Sequence, residues 1–478
     1  MYDIAIIGAG VIGGMIAREL SFYDVSVCLL EKENDVATGA TKANSAIVHA
    51  GFDAKVGTLK AKLNVRGSKM MPQIAKSLGV KYINNGSLVV GFNEEDENTL
   101  NELLLRGNQN GVEGLKILNR SEILKIEPHV GKDVTCALYA PTGAIICPYD
   151  LAVSAIGNAM DNGVELKCCF EVTEIEEQDD HFVIKSKDEN VLSKYIVNCA
   201  GVYSDKIASL VGDSSFSVHP RRGEYVLLDK EGGDIVSHTI FVTPSKMGKG
   251  ILVSPTVDGN LLLGPTAIDG EDKTDTSTSC EFFASIYNIA EKSVSSIPKN
   301  KTITSFCGLR SVGSTGDFII NSPKNRYVNV AGIESPGLSA SPAIAEYVCN
   351  LLTEIGLSLT RKENPITTRK SMHAFREATT EEKNKMIKKN PSYGKIICRC
   401  EGVTEGEILD AIRTQPRATD LDGVKRRTRS QMGRCQGGFC SPYIIELLSN
   451  ELDLPYEKIT KFGGQSYVIT GRTKEKKR

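Results

Sequence analysis

The chain has 478 residues, enough for two or three domains, and its 41% hydrophobic and 24% charged content is that of an ordinary soluble globular protein. A formal net charge of −2 gives no reason to expect nucleic acid or a membrane surface as the main partner. Thirteen cysteines in so long a chain are too dilute for a secreted disulfide scaffold, and no apolar run reaches the length of a membrane-spanning helix. The first ten residues lack the basic start and small-residue cleavage site of a signal peptide, so the expected location is cytoplasmic.

Residues 2–8 read as a buried strand, 11–21 as a helix and 25–31 as a second strand, a βαβ start. The motif Gly8-Ala-Gly10-Val-Ile-Gly13 lies between the first strand and the helix. Glu31 ends the second strand, eighteen positions after Gly13. Each residue type answers a need of a dinucleotide. The glycines allow a tight turn, a close approach of backbone to pyrophosphate, and close packing of helix on strand. The helix N-terminus offers unpaired amides to the phosphates, and the acid accepts hydrogen bonds from the adenosine ribose. No second motif of this kind follows, so one nucleotide site is spread over the chain, which suits a flavin better than a nicotinamide.

A three-stranded meander is expected at about Val172–Glu176, His181–Ser186 and Val191–Cys199, ending in Asn198-Cys-Ala-Gly201. Four strand-like segments between Glu224 and Pro265 predict an antiparallel sheet, interrupted by a glycine-rich turn holding Lys246 and Lys249. Arg221 and Arg222 open that region as a second anion contact or as solvated cations. Arg310 is the first candidate for a substrate anion clamp, because a guanidinium forks onto carboxylate or phosphate. His49, between an apolar strand and small residues, is either a core histidine or a proton acceptor near the cofactor. A strand and a helix return over residues 327–355, with Gly332-Ile-Glu-Ser-Pro-Gly337-Leu-Ser339 between them.

Residues 361–395 are polar and charged and read as a linker. Beyond it, Cys398-Arg-Cys400 and Cys435-Gln-Gly-Gly-Phe-Cys440 form a C-x-C…C-x4-C set within a module at 396–455, followed by a tail at 456–478. Four thiolates suit a 2Fe–2S cluster or a structural zinc, and zinc sites more often carry C-x-x-C in both halves. Gly433, Gly437 and Gly438 let amides point at sulfur, and the run Val424-Lys-Arg-Arg-Thr-Arg429 is expected to supply positive charge to the cluster. A nucleic-acid patch is the rival reading of that run, but it has no interleaved aromatics.

Residues 1–355 resemble the D-amino-acid-oxidase-type flavoproteins, in the branch of glycerol-3-phosphate dehydrogenase and L-2-hydroxyglutarate oxidase. The resemblance is carried by Gly39-Ala-Thr-Lys-Ala-Asn-Ser-Ala-Ile-Val-His49-Ala-Gly51, Arg222-Gly-Glu-Tyr225, Gly308-Leu-Arg310 and Gly332-Ile-Glu-Ser-Pro-Gly337-Leu. It implies an FAD whose pyrophosphate or ribityl chain is lined by Thr41, Asn44 and Ser45. It places the Val172 backbone at the adenine, and Gly332, Gly337, Leu338 and Ser339 over the flavin end. Gly201 belongs to the same cofactor set. The motifs ICRCEGVTEGEI and GRCQGGFC resemble the bacterioferritin-associated-ferredoxin-like 2Fe–2S domain, so Cys398, Cys400, Cys435 and Cys440 are the implied cluster ligands.

The expected fold is therefore α/β. A Rossmann-type FAD-binding domain and an antiparallel-sheet substrate domain (about 80–145 and 215–310) share residues 1–360, and a small four-cysteine domain follows. The expected activity is oxidation of a small anionic hydroxy compound such as glycerol 3-phosphate. Electrons would pass from FAD through the cluster to an electron-accepting flavoprotein or a quinone-linked partner subunit. One departure points elsewhere: after His49 the chain reads Ala-Gly-Phe-Asp53, where glycerol-3-phosphate dehydrogenases place a phosphate-binding arginine. An acid there suits a 2-hydroxy acid such as 2-hydroxyglutarate. An amino-acid-oxidising flavoenzyme, an oxidase using oxygen directly, and an electron-transfer subunit without its own substrate are the other readings.

Overall fold

The computed structural model describes residues 1–244, 250–471 and 473–474, so the Lys246 and Lys249 turn lies outside the described residues. The first strand, Tyr2–Ile7, runs through the middle of an eight-stranded sheet. Ile4 and Ile6 point to one side and Ala5 and Ile7 to the other, and all four are buried. Burial on both faces explains the nearly continuous apolar run. Parallel neighbours are Val27–Leu30 and Asn190–Asn198, with Glu165–Lys167 and Tyr327–Ala331 outside them, also parallel. Glu174–Glu177 and Phe182–Lys185 complete the expected antiparallel meander. Four helices, Val11–Leu20, Leu59–Leu78, Pro148–Asp161 and Gly337–Glu354, cover the Ile4/Ile6 face. Two of them cross closely because residue 67 is glycine: a Cβ there would lie 2.2 Å from the Ser339 carbonyl oxygen.

The second sheet has nine strands and its pairings are antiparallel except one, between Thr239–Val242 and Ser87–Gly91. Its longest pair is Val218–Leu228 against Thr302–Gly313, which puts Arg221 opposite Arg310 and Tyr225 opposite Phe306. The sheet thus joins residues 87–140 to 218–313, and its long strands carry Arg310 toward the first domain.

The segment read as a linker lies along the first domain. Arg18, in the first helix, donates to the Thr367 carbonyl (3.1 Å) and to Asn158 (2.9 Å). His373 is buried against Asp150 of the helix Pro148–Asp161, Nε2 to Oδ2 2.9 Å. Burial works to lower the His373 pKa, but the Asp150 carboxylate outweighs it and holds the imidazole above its usual value. A raised folded pKa gives stability that is complete below the unfolded value, about 6.5, and is lost as pH rises through the folded one. His373→Gln is therefore expected to lower Tm more at pH 6 than at pH 9, measured by calorimetry on both proteins.

Helices Glu405–Arg413, Leu421–Thr428 and Ser441–Leu452 of the C-terminal module close around Val403, Ile408, Val424, Ile444 and Leu448. The stretch read as a tail also joins this core through Ile459 and Ile469, and the Thr460 carbonyl accepts the Leu421 amide at 3.2 Å.

Candidate active site

The glycine turn between the first strand and first helix owes its shape to what surrounds it. Gly8 has φ +107°, and a Cβ on it would stand 2.5 Å from the Cys199 carbonyl oxygen. The Cys199-Ala200-Gly201 corner therefore presses directly on the turn. A Cβ on Gly13 would meet the Gly8 carbonyl oxygen at 2.0 Å, so helix and strand touch there through backbone. Gly10 differs: its nearest neighbour would be Thr41 Oγ1 at 3.2 Å. Glu31 is buried, and its carboxylate accepts the amides of Ala9 (2.9 Å) and Glu33 (3.1 Å). Burial pushes its pKa up against those two amides. Val172 follows Phe170, whose amide donates to the Glu31 carbonyl at 2.8 Å, so the meander starts beside the acid.

The loop after residue 39 is tied to both domains. Thr41 Oγ1 accepts the Val11 amide at 3.0 Å, at the open start of the first helix. The Asn44 side chain is turned inward onto its own loop: its amide donates to the Thr41 carbonyl (2.9 Å), and its oxygen accepts the Ala46 amide (2.8 Å). Ser45 Oγ lies 3.1 Å from the hydroxyl of buried Tyr225 in the substrate sheet. Burial pushes the Tyr225 phenol up, so it stays protonated at neutral pH, with Arg310 in hydrogen-bonding reach. Arg310 also donates to the Thr266 carbonyl at 2.8 Å and lies over Gly223, where a Cβ would come within 2.8 Å of its Nη2. Gly308 brings the sheet against the loop, since a Cβ there would meet the Ala43 carbonyl oxygen at 1.9 Å. Arg221 pairs with Asp269 (2.6 Å), and Arg222 with Asp275 (3.0 Å) and Glu224 (3.2 Å).

His49 follows Ser45 by four residues along the chain. Its amide donates to Ser339 Oγ (2.7 Å), its Nε2 is 3.3 Å from Ser335 Oγ, and its ring lies 5.8 Å from that of Phe241. Gly332, with φ +62°, packs on Gly313, and Gly337 and Leu338 begin the helix that carries Ser339.

The four cysteines pair across their two motifs. Cys400 and Cys435 sulfurs are 3.6 Å apart, and Cys398 is hydrogen-bonded with Cys440. That bond brings the Cys398 pKa down to about 6 and drives Cys440 up. Burial opposes ionisation of Cys435, but the amides of Phe439, Gly437 and Gly438 outweigh it and lower its pKa. Four thiols brought together from the two motifs suit a cluster of two irons, each held by two sulfurs.

The chain matches the family described as FAD dependent oxidoreductase over residues 3–351, and a BFD-like [2Fe-2S] binding domain over residues 396–450. It belongs to the FAD-dependent oxidoreductase family. Glycerol 3-phosphate dehydrogenase of Caloramator mitchellensis is 48% identical over 476 residues, 99% of each chain. Dithionite-reduced L-alpha-glycerophosphate oxidase of Mycoplasma pneumoniae, solved with FAD bound, superimposes with a TM-score of 0.74 at 33% identity, covering 77% of this chain and 98% of that one. Bovine mitochondrial L-2-hydroxyglutarate dehydrogenase is 34% identical over 284 residues, 56% of this chain and 61% of its own.

A flavin fits this member of the FAD-dependent oxidoreductase family, because the turn at Gly10 leaves open the space a Cβ would fill and the start of the first helix faces it. Three residues of the arrangement escaped the sequence reading. Tyr225 was visible only as part of a family motif, and Gly223 carried the signal of a lone glycine inside a strand. The Thr266 carbonyl carried none, because any residue has one.

The basic run needs a correction. Arg426, Arg427 and Arg429 are buried and do not face the cysteines as free charge. Arg427 forks onto Asp35 of the flavin domain (2.7 and 2.8 Å), and Arg426 joins the same carboxylate. Arg429 reaches Asp258 (2.7 Å), Asn260 (3.0 Å) and Glu401 (3.1 Å). Burial raises the cost of ionising Asp35, yet the Arg427 and Arg426 guanidiniums bring its pKa down to about 2. The run is a clamp between modules, which also removes it as a nucleic-acid surface.

Proposed function

We propose that this flavoprotein oxidises the secondary alcohol of glycerol 3-phosphate and passes the electrons through the cysteine module to a partner protein. The observation that carries this reading is the 48% identity over the whole chain with a glycerol 3-phosphate dehydrogenase, cysteine module included. When bound, FAD would accept the hydride from the carbinol carbon, and a 2Fe–2S cluster on Cys398, Cys400, Cys435 and Cys440 would take electrons onward.

This chain's own groups supply position and proton transfer. Gly8, Gly10, Gly13, Glu31, Thr41, Val172 and Gly201 would hold the nucleotide end of FAD. Ser45 would line the pyrophosphate or ribityl chain, Asn44 would act by fixing that loop, and Gly332, Gly337, Leu338 and Ser339 would close over the flavin end. Arg310 would hold the substrate anion, its guanidinium oriented by the Thr266 carbonyl and the Tyr225 hydroxyl. His49, braced by Ser335 and Phe241, would take the hydroxyl proton as the hydride leaves. Phe439, 77% exposed next to Cys440, and the exposed Cys400 would mark the face from which electrons leave. An electron-accepting flavoprotein or a quinone-linked subunit is the expected partner. Among the described residues no helix is long and apolar enough to cross a membrane, so quinone would be reached through that partner.

Asp53 favours a second reading, a 2-hydroxy acid as substrate. Anaerobic mixing with glycerol 3-phosphate, 2-hydroxyglutarate and amino acids, followed at the flavin band, tests both. Fast bleaching by glycerol 3-phosphate alone supports the first reading, and fast bleaching by 2-hydroxyglutarate alone overturns it. Arg310→Ala is expected to cost about 2–4 kcal/mol in kcat/KM, as the loss of a buried charge-assisted pair does. An unchanged ratio removes Arg310 from the anion site.

A further inference from the structure

Residues 31–37 leave the second strand and return to the glycine turn, gripping it twice. Glu31 at one end accepts the Ala9 amide (2.9 Å), and the Ala37 amide at the other donates to the Ala9 carbonyl (2.9 Å). Ala9 is the residue between Gly8 and Gly10, so this strap holds the middle of the turn from both sides. The middle of the strap belongs to the cysteine module. Asn34 donates to Asp420 at 2.5 Å, and Gly463 comes so near that a Cβ would stand 2.2 Å from Asn34 Oδ1. Asp35 is 2% exposed and lies in the fork of Arg427, itself 2% exposed. Burying Asp35 with Arg427 and Arg426 is costly unless each is paired, so the strap has one low-energy position while the module is seated.

We infer that Asp35 is a positioning residue through which seating of the cysteine module and binding of FAD favour each other. A strap fixed by the module holds Ala9 and Glu31 where the nucleotide needs them. Reciprocity follows, because two binding events coupled through one element must influence each other by the same factor. The cysteine module therefore raises the retention of FAD, in addition to its place in the electron path. This inference rests on the assignment of the glycine turn to FAD.

The test uses full-length protein with its cysteine site loaded. Arg427→Met removes one arginine but leaves Arg426 on Asp35, so the carboxylate keeps a partner. FAD affinity, read by flavin fluorescence on titrating apoprotein, is expected to fall about tenfold, within the roughly 5–150-fold range of coupled sites. The iron–sulfur spectrum should be unchanged, and Arg427→Lys should recover part of the loss. In wild type, FAD should slow amide exchange in the helix Leu421–Thr428 compared with apoprotein, a measurement needing no variant. Wild type that binds no FAD overturns the assignment of the turn. Wild type that binds FAD with no change in exchange, or a variant with wild-type FAD affinity and only a lower Tm, overturns the coupling.

Discussion

Gly10→Val is expected to give folded protein that purifies without its yellow colour. Gly10 lies at the start of the first helix, and a Cβ there has only Thr41 Oγ1 close by, at 3.2 Å. The chain can thus accommodate the new side chain, and its methyl groups would fill the space a pyrophosphate needs against the helix amides. Losing two charge-assisted hydrogen bonds of about 1.5–3 kcal/mol each weakens FAD roughly a hundredfold or more. Gly13→Ala is the control with the opposite physics. Its methyl would lie 2.0 Å from a backbone oxygen, so the expected result is misfolding rather than selective loss of cofactor. Absorbance and circular dichroism of both proteins decide the matter. Yellow Gly10→Val protein with stoichiometric FAD would remove the turn from the nucleotide site.

Cys398→Ser is expected to leave the flavin site intact and stop electron delivery to the protein partner that accepts from the cluster. A hydroxyl is a much poorer ligand for iron than a thiolate, and Cys398 is buried within the module, paired with Cys440. Substrate should still bleach the flavin once in anaerobic mixing, while steady-state reduction of the acceptor falls to background. Acceptor reduction at the wild-type rate would make the module structural. Purified wild type containing zinc, with neither iron nor acid-labile sulfide, would remove the cluster itself.

Much of this architecture is legible in the chain because it is local. The run Ile4-Ala-Ile-Ile7 announces a buried strand, and the glycine spacing with Glu31 announces the nucleotide turn. The antiparallel sheet is legible in the same way, from the four strand-like segments between Glu224 and Pro265. What one sequence does not reveal is partnership at long range. The basic run looks like charge offered to the cluster because its acids, Asp35 and Asp258, lie far earlier in the chain and carry no mark of burial. Cysteine spacing marks four ligands as one set but not which sulfurs meet, and these meet across the two motifs, Cys398 with Cys440 and Cys400 with Cys435. Asn44 shows the third kind of difference. Its residue type suits cofactor contact, but its side chain is spent on the loop that holds Ser45.

The buried arginines of the helix Leu421–Thr428 and of the turn after it also bear on how such a two-part enzyme arises and decays. In a chain that ended near residue 395, Asp35 and Asp258 would lose the arginines that pair with them together with the module that packs on them, and would become solvated carboxylates. Such a chain has no need of an acid at either position, whereas a chain that keeps the module needs both. Positions 35 and 258 should therefore drift freely in descendants that have shed the module and stay acidic in those that retain it.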